Sequence, residues 1–142
     1  WITPRVPSVT NRRFDARFFV ALAPAGQEAL HDAHEVTETV WLTPEAGLRR
    51  YWSGELGLVP AQILSLCQLV KFTSAADVMN AASVRPPFLI APEPIQLEGQ
   101  RVMCYPGDPS HSVTRPLWTG PTRLIFRNNR FEPEGGLAAL LV

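Results

Sequence analysis

Apolar residues recur at every second position from Phe14 to Leu22. Phe14, Ala16, Phe18, Val20 and Leu22 share one face, while Arg13, Asp15 and Arg17 share the other. A period of two is that of a strand, so a first strand is predicted over 12–22, with Phe14 and Phe18 in the core. Pro4, Pro7 and Asn11 make the stretch before it an extended approach with a turn, and Pro24-Ala25-Gly26 ends it. Gln27 to Asp32 is a loop or a short helical turn. A second strand is predicted over 35–42, with Val36, Val40 and Leu42 opposite Thr37, Thr39 and Trp41. Thr43-Pro44-Glu45-Ala46 then starts a helix. Thr43 can cap free N–H groups, proline is tolerated at the first helical position, and Glu45 suits the positive helix end.

Past the Gly54 to Gly57 break the period changes. Ile63, Leu64, Leu66, Cys67 and Val70 recur at helical spacing after Pro60, with polar residues between them. Ser74 caps a further short helix through Ala82, which Arg85-Pro86-Pro87 ends. Pro86 to Pro94 holds too many prolines for a central strand and is expected to be an extended crossing. Two hairpins follow: Ile95 to Leu97 with Arg101 to Tyr105 around Glu98-Gly99-Gln100, and Thr122 to Arg127 with Arg130 to Glu132 around Asn128-Asn129. A long loop from Pro106 to Pro121 joins them. No internal repeat interrupts this order.

Composition narrows the classes of function. With 142 residues, 46% of them hydrophobic, the chain can bury the core of one soluble domain. Thirteen basic and thirteen acidic residues leave no net charge. That excludes the dense basic surface of a nucleic-acid binder. No apolar run approaches the roughly 20 residues of a membrane-spanning helix. Cys67 and Cys104 stand far apart among apolar neighbours, the usage of a reduced, intracellular protein of the cytoplasm with buried, inert thiols. The first residue is Trp1 instead of Met, and the opening shows neither a basic start nor an apolar signal core, which makes a missing upstream part the expectation.

Particular residues add a family likeness. Trp1-Ile2-Thr3-Pro4, then Arg12-Arg13-Phe14-Asp15 with Arg17-Phe18-Phe19, then Asp32, Glu35, Glu38 and Trp41-Leu42 with Pro44 run in a fixed order. This order resembles the C-terminal part of Nudix diphosphate hydrolases, in the subgroup of peroxisomal coenzyme A diphosphatases and their bacterial relatives. The likeness is strongest over the first third of the chain, and Pro106-Gly107-Asp108-Pro109 is compatible with it. It implies an α+β chain: a partial Nudix fold, a mixed sheet sandwiched by helices, with a hairpin-rich C-terminal extension. Residues 1–84 would form the second half of the Nudix-like domain. Residues 85–142 would be a proline-rich crossing and hairpin tail packed on the same domain.

The chemistry so implied is hydrolysis of a nucleoside diphosphate derivative of coenzyme A ester or nucleotide-sugar type. Mg²⁺ or Mn²⁺ would polarise phosphoryl oxygens and activate water. In the family, glutamates clustered on one helix hold those cations, in a box containing an Arg-Glu and then a Glu-Glu pair. That box is absent here: neither Asp32 to Glu38 nor Glu132 to Glu134 supplies it. The expectation is therefore a fragment, inactive alone, whose partners are a small nucleotide derivative and the missing N-terminal half. The alternative is a complete, noncatalytic binding or assembly module.

Individual residues carry competing readings. Arg13 and Arg17 are candidate binders of substrate phosphates, since a guanidinium can fork two donors onto such oxygens. Spacing alone favours a structural network bridged by Asp15; the family likeness brings Arg17 forward. Glu35, with Glu38 beside it, stands where some Nudix enzymes place a general base or metal ligand; a solvated strand start is the simpler reading. His31 and His34 lack an evident third ligand, so no metal is assigned to this chain. Asp108, Ser110 and His111 contain the letters of a hydrolase triad, too close together to adopt its geometry by themselves.

Overall fold

Each helix start read from the sequence is present. Thr43 Oγ1 accepts the Ala46 N–H at 3.1 Å, Pro44 occupies the first turn, and α1 runs Pro44–Ser53. Helix α2, Pro60–Val70, lacks a capping hydroxyl; Gln62 Oε1 reaches back to accept the Val59 N–H at 3.0 Å. Helix α3, Ala75–Ser83, is capped by Ser74, whose Oγ accepts the Asp77 N–H at 3.1 Å. The computed structural model describes residues 1–4, 14–28, 34 and 38–142.

The sheet has four strands: β1 Glu93–Leu97, β2 Gln100–Cys104, β3 Arg123–Arg127 and β4 Arg130–Glu132. They lie in the order β1-β2-β3-β4, every pair antiparallel. Both hairpins are where the turn residues place them. Glu98 and Gly99 take φ of 50° and 78°, and Asn128 and Asn129 take 51° and 59°, the left-handed pairs that two-residue hairpin turns require. Strand β1 begins two residues before the predicted Ile95 and includes Pro94. Proline is tolerated there because β1 is an edge strand. A short helix not predicted from the sequence, α4 at Gly136–Leu140, touches α1 and α2.

Helices α1, α2 and α4 cover one face of the sheet. Leu48 and Tyr51 of α1, Ile63, Leu64 and Cys67 of α2 and Leu140 of α4 form the main core with Leu124, Tyr105 and Trp118; Met103 and Phe131 pack against it. The facing positions Val102 and Ile125, with Cys104, form a second cluster on the opposite face. Helices α1 and α2 approach closely at Gly47, where a Cβ would lie 3.2 Å from Leu66 Cδ1. The Tyr51 hydroxyl ties α1 to β4, donating to the Phe131 carbonyl at 2.8 Å and accepting the Phe131 N–H at 3.0 Å. The α+β class is thus as expected, and among the described residues all four strands lie in the C-terminal part.

The N-terminal segment departs from the two strands expected of it. Among the described residues, the strand predicted over 12–22 amounts to a single bridge between Ile2 and Asp15, and residues 38–42 form no strand. Phe14 and Phe18 are 62% and 53% exposed rather than core. The physical reason is pairing. Among the described residues, Phe14 to Ala16 finds Trp1 to Thr3 alongside, with Ile2 in turn donating its N–H to the Ile90 carbonyl at 2.8 Å; Pro4 follows at once, and so short a pairing is marginal as a strand. Alternation reports which side of a segment is apolar; a strand also needs a neighbour to take its backbone groups.

Candidate functional site

Two built places lie around the β1–β2 hairpin. The first is polar. In the loop from Pro106 to Pro121, Asp108 is 2% exposed and its Oδ1 accepts the Ser110 N–H at 2.8 Å. Arg123 of β3 grips the same carboxylate through two hydrogen bonds of 2.8 Å. Burial alone would push the Asp108 carboxyl up; the Arg123 guanidinium and the Ser110 N–H outweigh it and hold it below the usual range. His111 is 5% exposed. Its Nδ1 accepts the Val113 N–H at 2.9 Å and its Nε2–H donates to the Ala91 carbonyl at 2.9 Å, a pattern only the neutral ring can make. Ser112 donates its N–H and hydroxyl to Glu93.

These partners decide the question of the triad letters. The Asp108 carboxylate faces Arg123 and not His111, and both His111 nitrogens are taken by the backbone. The cluster braces a long loop. Gly107, at φ +100°, lets that loop close, because a Cβ there would lie 2.7 Å from Pro116. Glu132 makes a similar brace on β4, with Arg127 Nε at 2.9 Å and Arg130 Nε at 2.5 Å. Sequence reasoning missed both braces. An acid and an arginine 15 residues apart carry no local signal, whereas the Arg127 to Glu132 pairing follows from the hairpin register.

The second place is an apolar cavity of about 700 Å³. Trp1, Ile2, Phe14 and Phe18 form one wall, Val59, Pro60 and Ala61 at the start of α2 another, and the cross-strand pair Pro94 and Met103 of the hairpin a third. Arg101, exposed and stacked 4.2 Å from the centroid of the Phe126 ring, is the charged side chain among the described lining residues. Behind the wall, the Tyr105 ring meets Trp1 and Trp118 with centroids 6.1 Å away in each case. The Tyr105 hydroxyl is buried with no hydrogen-bond partner. Phe14, Ala16 and Phe18 line the cavity while Asp15 and Arg17 do not. From Phe14 to Phe18 the period-two pattern therefore marks a real face, directed at a cavity rather than a filled core.

Of the residues singled out from the sequence, Arg17 is exposed and stands away from the cavity lining. Arg13, Glu35 and His31 lie outside the described residues. Glu38 and His34 are exposed. The divalent cation that the family likeness implies does not fit the residues present. Among the described residues no group of three His, Cys, Asp or Glu side chains comes together, and the buried carboxylates of Asp108 and Glu132 are committed to arginines. Cys67 and Cys104 are free and buried; burial pushes each thiol up to about 11, with the Asp108 charge adding to the effect at Cys104. No helix among the described residues is long and apolar enough to cross a membrane.

Comparison with known proteins adds a distant, partial likeness. The chain is 36% identical over 73 residues to the acyl-coenzyme A diphosphatase NUDT19 of Xenopus laevis, a Nudix hydrolase. The matched stretch is 51% of this chain and 19% of that protein. No family model matches the sequence, and no solved structure matches it.

Proposed function

We propose that this chain is the C-terminal portion of a Nudix-type hydrolase that cleaves a nucleoside diphosphate derivative, of coenzyme A ester or nucleotide-sugar type. The observation that carries the reading is the 73-residue likeness to an acyl-coenzyme A diphosphatase. The apolar surface near the N-terminus supports it. Phe19, Leu22 and Trp41 are all more than half exposed, and large apolar side chains left in water are the expected mark of a missing contact. A preceding half-domain would cover them and supply neighbours for the backbone of residues 14–22.

In this reading the glutamates and their cations belong to the preceding half, where the cations would make water nucleophilic and neutralise phosphoryl charge. This chain contributes positioning. Arg17 is available to pair with a substrate phosphate, and Arg13 and Glu35 are the further candidates for phosphate binding and proton transfer. The α1–α2 pair and the sheet would hold one side of the cleft. By itself the chain should hydrolyse nothing.

A second reading, a noncatalytic binding or assembly module, is favoured by one observation: the glutamate box is absent from the sequence. The coding sequence upstream of Trp1 separates the two. A frame encoding a glycine-rich turn and the glutamate box supports the enzyme, and an immediate start codon supports the module. Turnover of a diphosphate substrate with Mg²⁺ by this purified chain alone, after contaminating activity is excluded, would overturn the assignment of chemistry to a preceding half.

A further inference from the structure

We infer that the cavity between Trp1, Phe18, Ala61 and the β1–β2 hairpin binds the hydrocarbon chain of an amphipathic acid, with Arg101 taking the acidic head. This goes beyond the diphosphatase reading, since it concerns binding of an apolar acid whether or not any diphosphate is cleaved.

Three observations carry it. The volume, about 700 Å³, lies within the range of small-molecule sites. The walls come from three separated parts of the chain and are apolar almost throughout; Thr3, Gln96, Arg101, Tyr105 and the Trp1 indole are the lining side chains with a polar atom. A sugar would bring several hydroxyls against walls with few groups to pair them, and each unpaired group is costly. Methylenes lose nothing there and gain from leaving water. Finally, among the described lining residues the charged side chain is a cation, Arg101, opposite Gln96 in the β1–β2 register. Its guanidinium rests on the Phe126 ring, which holds a planar fork ready for a carboxylate or phosphate.

The test is a titration of the chain with the 8-, 10- and 12-carbon carboxylates below their micellar concentrations, read by tryptophan fluorescence, since Trp1 lines the cavity. Dodecanol and UDP-glucose serve as comparison ligands. Saturable binding is expected, tightening roughly tenfold for each added pair of carbons, with UDP-glucose inert. Arg101→Gln should weaken dodecanoate about tenfold and leave dodecanol unchanged. Ala61→Trp and Ala16→Trp fill the cavity from opposite walls; whichever keeps the parent's circular dichroism and thermal midpoint should abolish binding.

Several outcomes would overturn the inference. These are an absence of saturable binding, equal affinity for UDP-glucose, or binding indifferent to a folded cavity-filling variant. A protein extended upstream of Trp1 that no longer binds dodecanoate would show that polypeptide fills the cavity, and would overturn it equally. Hydrolysis is not read in any arm, so this inference and the diphosphatase reading can fail separately.

Discussion

Asp108 shows how much one residue can hold in this molecule. Its carboxylate is buried and spends both oxygens on Arg123, joining the long loop to β3. Arg123→Ala leaves that charge without its main partner, so a loss of about 3 kcal/mol in urea unfolding is expected. The same pair gives stability a pH dependence. Asp108 and Glu132 are both held below the ordinary carboxylate range, their arginines outweighing burial. A carboxyl lowered in the folded state stabilises fully above its unfolded value, near about 4. That contribution is lost as the pH falls further. The thermal midpoint should therefore hold above pH 5 and drop steeply between about pH 4 and pH 3. A flat profile across that interval would contradict the role given to these pairs. The two thiols test burial directly: Cys67 and Cys104 should resist a thiol-specific reagent in the native protein and both react in denaturant.

At the scale of elements, the C-terminal hairpins were legible because their turns carry chemistry of their own. Asn128-Asn129 and Glu98-Gly99 announce positive φ, and residues on either side have only one register open to them. Glu98 is the poor fit, a side chain with a Cβ held at φ 50°. Glu98→Asn should stabilise the protein by about 0.5 kcal/mol, since asparagine tolerates the left-handed region better; a lowered midpoint in thermal unfolding would count against this turn. The helices were legible for the same local reason, through Thr43, Pro44, Pro60 and Ser74. The N-terminal strands were misread because their existence depends on a neighbour, and no local pattern contains the neighbour. The alternation of Phe14, Ala16 and Phe18 still named a true face. The cavity it borders was illegible, because Val59 to Ala61 and the β1–β2 hairpin reach it only through the fold. Pro94 sits within β1, where proline density had suggested a crossing; only the edge position makes it harmless.

The whole molecule has two unlike halves. From α1 onward, helices and sheet share a continuous core in which Leu48, Ile63, Leu64, Leu124 and Leu140 are fully buried. Toward the N-terminus, apolar side chains stand exposed beside a cavity, and Arg17 lies in the open. The proposed preceding half-domain would account for this asymmetry, and the proposed apolar-acid site would suit an acylated substrate better than a glycosylated one. The most direct measurement is hydrolysis of a fatty-acyl coenzyme A, with Mg²⁺, by this chain extended through its upstream coding sequence, beside the chain alone. The account predicts diphosphate cleavage by the extended protein only. An extended protein that leaves the diphosphate intact, or cleavage by the chain alone, would contradict it.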